Sequence, residues 1–269
     1  MALSLPDLRP AAIVAGIVLM LAVSGCGSSK NDALKRYVQQ VNAVASGMRF
    51  ELGQVAAVNA SFRTSADLAA LAPKFARAQR SLGTFAARLA ALAPPPEAKP
   101  VATTLAKLVS VERALVTELH RFAVFLPAFR KALAPYSRAV AAFQKAARVV
   151  KTAKEEASVV DVYANALSQP LAALAQLSPP AVLAPTYMTQ VSLLRSSRTT
   201  ALSLAAALRA GRAARAHALL VHLSQIAVSG GSLSAQRAQI AAVRAYDAEV
   251  ARATTLQNRA QLELVHLQG

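Results

Sequence analysis

Three long apolar stripes limit what this chain can become. Leu34, Tyr37, Val41, Val44, Met48, Glu51, Val55, Val58 and Phe62 follow one another in steps of three and four. Leu68, Leu71, Phe75, Ala78, Leu82, Phe85, Leu89 and Leu92 do the same. A third series starts at Val101 and runs through Leu105, Leu108, Glu112, Leu115, Leu119, Phe122, Leu126, Phe129, Leu133, Tyr136, Val140, Phe143 and Ala147 to Val150. A 3.5-residue repeat keeps one stripe facing a neighbouring helix and implies left-handed, coiled-coil-like packing. Stripes of this width are costly to expose, so the helices must bundle. Alanine and leucine, both strong helix formers, dominate the chain, and no strand-like run of β-branched and aromatic residues interrupts them. The expected fold class is all-α: an elongated antiparallel helical bundle with coiled-coil-like heptad packing.

Prolines and glycines divide the helices. Pro73, early in the second series, is expected to mark that helix's start, since proline suits a first turn. Pro94-Pro95-Pro96 with Pro100, and Ser178-Pro179-Pro180 with Pro185, read as stiff loops. Pro127 and Pro135 fall inside the third stripe, where each removes a backbone donor. The stripe keeps its register through them, which predicts a kink and not a domain boundary. After a more polar stretch at Glu155, Glu156 and Ser158, further helices are expected over about 159–177, 186–210 and 212–228. Gly211 reads as a C-terminal cap, and Ser232, after the Gly230-Gly231 turn, as the N-cap of a last helix to about 267.

The two proline loops are related. A shift of 85 residues aligns 82–119 with 167–204, pairing Leu89 with Leu174, Pro94 with Pro179, Pro95 with Pro180, Pro100 with Pro185 and Arg113 with Arg198. Twelve of the 38 aligned positions are identical. The three aligned prolines set this apart from chance matching of alanine and leucine, and a duplicated helix–Pro-Pro–helix hairpin is expected.

The N-terminus reads as an export signal. Arg9 precedes an apolar core over 11–23, too short for a membrane-spanning helix of about 20 residues but suited to a signal peptide. Small residues Ser24 and Gly25 lead to Cys26, the only cysteine, in the run Val23-Ser24-Gly25-Cys26. This looks like a bacterial lipobox. The pattern implies diacylglycerol on the Cys26 sulfur and cleavage between Gly25 and Cys26. The expected organisation is a signal peptide over 1–25, a small polar tether over 26–32 and one helical bundle domain over 33–269; cleavage leaves a chain of about 244 residues. A lone cysteine excludes an internal disulfide or a cysteine metal cluster.

Charge points to the partner class. Thirty Lys and Arg oppose thirteen Asp and Glu, a net of +17, and losing 1–25 leaves this unchanged because Asp7 and Arg9 cancel. No acid occurs between Asp161 and Asp247, nor between Glu118 and Glu155, where eight basic residues fall. Such a surface is attracted to anionic lipid headgroups or anionic wall polymers. No nucleic-acid-binding motif is present, and an exported chain rarely meets nucleic acid. Together the lipobox, the Ala/Arg-rich heptads and the paired Leu-x2-Leu-x-Pro-Pro loops resemble uncharacterised Ala/Arg-rich helical lipoproteins of high-GC Gram-positive bacteria (actinobacteria). The resemblance implies attachment to the outer face of the cell membrane and carries over no activity.

Candidate chemistry is sparse. His217 and His222 are five apart and lie on different helix faces, and no HExxH or Glu-x-x-His pair occurs. Ser229-Gly230-Gly231-Ser232 is neither a nucleophile elbow nor a phosphate loop. No catalytic residue, metal or cofactor is therefore expected. Glu51 and Glu112 stand in otherwise apolar stripes, and a buried carboxylate must be paired or neutralised. Arg113 and Arg198 are the candidate partners of a buried ion pair that sets helix register. The expected role is non-enzymatic, structural or interactive, with a protein partner on a helix face as one form of it. A solute- or metal-binding lipoprotein serving a transporter is the alternative.

Overall fold

The computed structural model describes residues 32–44, 46, 65–228 and 233–267. Among them every regular element is helical, and the fold is an all-α helical bundle. Helix α1 occupies 32–44; the others are α2 (Ser65–Ala90), α3 (Lys99–Ala147), α4 (Ala153–Ala166), α5 (Ser168–Ala175), α6 (Ala184–Arg209), α7 (Ala213–Val228) and α8 (Leu233–His266). Where the sequence suggests one bundle over 33–269, the chain divides into two units. Unit 1 comprises Met1–Val124 and Val243–Gly269, and unit 2 is Phe125–Ala242. Helices α3 and α8 contribute residues to both.

In unit 1 the second heptad series is the core stripe of α2. Leu68, Leu71, Phe75, Ala78, Leu82, Phe85 and Leu89 are all buried. From Leu71 onward they cluster with Val101, Leu105 and Leu108 of α3, Tyr37 and Val41 of α1, and Ala260 and Leu264 of α8. Phe75 is 0% exposed, so its burial contributes roughly 1.5–3 kcal/mol. In unit 2, α4 and α7 pack on α6. Alanines at 157, 164, 201 and 205 are fully buried there, alongside Val160, Leu167, Leu194 and Leu204. Such small side chains let the helices approach closely.

Proline positions are decided by what surrounds them. Pro73 does not start α2, which begins at Ser65 and runs through it. The proline costs about 3 kcal/mol in a helix interior. Leu68 and Leu71, buried before it, offset that at about 1.5–3 kcal/mol each. Likewise α3 continues through Pro127 and Pro135, with Leu126 and Phe129 buried beside the first. The unit boundary between Val124 and Phe125 nevertheless falls just before Pro127. The helix expected over 159–177 begins earlier and is broken. Thr152 caps α4: its hydroxyl accepts from the Glu155 N–H at 3.2 Å, and the Glu155 carboxylate accepts from the Thr152 N–H at 3.1 Å. Leu167 then separates α4 from α5, because Pro170 has no N–H to give the Ala166 carbonyl and its ring crowds that group.

The duplication is visible in the backbone. Short 3₁₀ turns at Pro96–Ala98 and Ala181–Leu183 fall 85 residues apart, in register with the sequence alignment. Pro95 has φ −61° and ψ 159°, and Pro180 has φ −63° and ψ 155°. The Ala98 N–H donates to the Pro95 carbonyl and the Leu183 N–H to the Pro180 carbonyl, both at 2.9 Å. Pro100 and Pro185 each take the second position of the following helix, where a missing N–H is harmless. One copy of the hairpin belongs to unit 1 and the other to unit 2.

Gly211 ends α6 as its sequence position suggests. Its φ is +63°, and its N–H donates to the Leu208 carbonyl at 3.1 Å while the Arg212 N–H donates to Ala207 at 3.0 Å. These two bonds satisfy carbonyls that the helix end leaves open. Ser232, expected to cap α8, lies outside the described residues, as do Gly230 and Gly231.

Candidate functional site

Two features of unit 1 and one of unit 2 are candidates. The lipobox residues Gly25 and Cys26, and the seam residue Glu51, lie outside the described residues.

Glu112 sits on the core face of α3 and is 5% exposed. Its Oε2 has no hydrogen-bond partner among the described residues. Burial, which disfavours the charged form, pushes its carboxyl up to about 7. Among the described residues Glu112 forms no ion pair with Arg113, one of its two expected partners. Arg113 follows Glu112 in the same helix, so it points about 100° away, and it is exposed. The Arg198 Nε instead donates to the Ser168 hydroxyl at 3.1 Å within unit 2. The duplication explains the arrangement. Ser197 is the counterpart of Glu112 and is also buried. There burial above all, with Tyr136 and Ser197 beside it, pushes the Tyr163 hydroxyl up to about 12. The first copy thus buries an acid where the second buries a short hydroxyl.

The second feature is a cleft of about 510 Å³ between the end of α2 and the start of α3. Leu89 and Val109 form its buried floor. Ala86 on one wall and Ala102 and Ala106 on the other keep it open, with Lys99 and Arg113 at its rim. Both cations are exposed. Sequence reading missed this cleft. Its signal was available in the aligned hairpins, where Ala86, Ala102 and Ala106 correspond to Leu171, Tyr187 and Val191.

The third feature is the charge of unit 2. Between Phe125 and Ala242 thirteen Lys and Arg oppose three Asp and Glu, a net of +10. All thirteen cations are exposed except Arg198, which is half-buried. Asp161 pairs with Arg209.

Among the described residues no three His, Cys, Asp or Glu gather as metal ligands. His217, His222 and His266 are exposed and His120 is half-buried. No described helix is long and apolar enough to cross a membrane. Comparison with family models, with curated proteins and with solved structures finds no match to this chain.

Proposed function

We propose that the chain is a membrane-anchored extracytoplasmic lipoprotein with a non-enzymatic structural or interaction role at an anionic envelope surface. The observation that carries this reading is Cys26, the only cysteine, placed directly after a short apolar segment and two small residues. Lipid at that position holds the helical bundle at the membrane, since two or more acyl chains anchor stably where one does not. The resemblance to exported actinobacterial lipoproteins belongs to the same reading.

The charge of unit 2 supports the electrostatic part. Each Lys or Arg near an anionic leaflet contributes about 1 kcal/mol, and the attraction fades over a Debye length of about 8 Å at physiological salt. Twelve exposed cations on one unit, of which Arg209 is paired with Asp161, give an attraction that lipid anchoring makes local. Flotation of a Cys26→Ala chain with phosphatidylglycerol vesicles tests this part. Binding at low salt that is lost at high salt is the expected result. Equal binding to phosphatidylcholine vesicles, or none to either, contradicts it.

A second reading, a solute-binding lipoprotein accessory to a transporter, is favoured by the unit 1 cleft alone. A pocket of that volume falls inside the range of roughly 300–1,000 Å³ common for small-molecule sites.

A further inference from the structure

The two copies of the hairpin have the same backbone turn and different fillings. In unit 2, Tyr187 of α6 reaches across to α5, and its hydroxyl donates to the Leu174 carbonyl at 2.7 Å. Its ring packs edge-on to Phe125 at 5.9 Å and beside Phe129 at 6.2 Å. Leu171 of α5 and Val191 of α6 are half-buried. The corresponding unit 1 positions hold Ala86, Ala102 and Ala106, and the space between the same two walls is the 510 Å³ cleft. Leu89, the counterpart of Leu174, is its floor. One duplicate closes this space with its own side chains and the other leaves it open.

The open copy differs in charge as well. Lys99 stands where the second copy has Ala184, while Arg113 at the other end is matched by Arg198. They are fourteen residues apart on α3, about 21 Å along the axis at the helical rise. No acid lines the cleft. We propose that this cleft binds one long-chain alkyl carboxylate, with the chain along the Leu89–Val109 floor and the carboxylate held by a rim cation. An apolar floor draws the chain by removing its surface from water, at about 0.8 kcal/mol for each methylene buried. A cation at either end meets the head group without desolvating a partner acid. A partner helix about 10–12 Å across is a poorer fit to a cleft of this volume. The inference does not rest on lipid attachment at Cys26.

The test uses the full chain with Cys26→Ser, so that no attached lipid competes, and ¹³C-carboxyl palmitate followed by NMR and calorimetry. Saturable binding of one palmitate per chain is expected. Ala102→Tyr, which copies Tyr187, weakens it about tenfold or more while the Tm stays level or rises. Ala86→Leu, which copies Leu171, repeats the test from the opposite wall and stands in if tyrosine does not fit. Lys99→Ala with Arg113→Gln weakens palmitate about tenfold and leaves an uncharged detergent of the same chain length unaffected. The proposal is overturned if palmitate does not saturate the parent chain. It also fails if the filled variants bind as the parent does, or if the charge variant loses the detergent equally.

Discussion

Glu112 and Ser197 occupy equivalent positions in the two hairpins, and each is 5% exposed. Evenly buried, they carry different chemistry: Ser197 meets a phenol, whereas the Glu112 Oε2 meets no donor among the described residues. Burial there favours the neutral Glu112 over the charged one.

That asymmetry makes unit 1 pH-sensitive. The ordinary value for the unfolded glutamate is 4.5 and the folded value is about 7. The folded chain therefore holds the proton more tightly. Its stability from this group is greatest below about 4.5, falls as pH rises toward 7, and levels off above that. The loss is roughly 3 kcal/mol at most. Thermal melting at about pH 5 and pH 8 checks this. Glu112→Gln flattens the dependence, and Glu112→Leu melts higher than the parent at the alkaline end. An unchanged pH profile for Glu112→Gln places the sensitivity elsewhere.

Tyr187 closes the second hairpin through one hydrogen bond and two ring contacts, and these separate by substitution. Tyr187→Phe removes the 2.7 Å bond to the Leu174 carbonyl and costs about 1 kcal/mol. The cost stays small because that carbonyl still accepts from the Leu177 N–H at 2.9 Å. Tyr187→Ala also loses the contacts to Phe125 and Phe129 and costs about 3 kcal/mol or more. Urea unfolding of both variants reads the difference directly.

Gly211 is a backbone requirement and not a packing one. Nothing lies within 4 Å of where its Cβ would stand, yet its φ is +63°. Gly211→Ala costs about 1–2 kcal/mol through the left-handed backbone alone, and Gly211→Asn costs less, since asparagine tolerates that region. Equal stability for alanine and asparagine contradicts this.

Much of the fold was legible in the chain. The stripe from Leu68 to Leu89 marks the α2 core, and the paired prolines locate both hairpin turns, because proline acts through φ and a missing N–H whatever surrounds it. Where sequence reading failed, tertiary burial outweighed a local rule. Pro73 sits inside α2 since Leu68 and Leu71 are buried before it. The break at Leu167 turned on Pro170, whose effect reaches one turn back to Ala166. The unpaired state of Glu112 was not legible, because an arginine nearby in sequence says nothing about which way it points. The cleft was the reverse case. Alanines in a helix read as bland, and only the larger counterparts in the second copy show that space was left.

The most direct measurement is the intact mass of the mature N-terminus, with membrane fractionation of the wild-type chain and Cys26→Ala. A membrane-bound chain that begins at Cys26 and carries the mass of a diacylglycerol, with the variant released, is the expected result. A wild-type chain that is unlipidated and recovered free of the membrane contradicts the anchored lipoprotein reading.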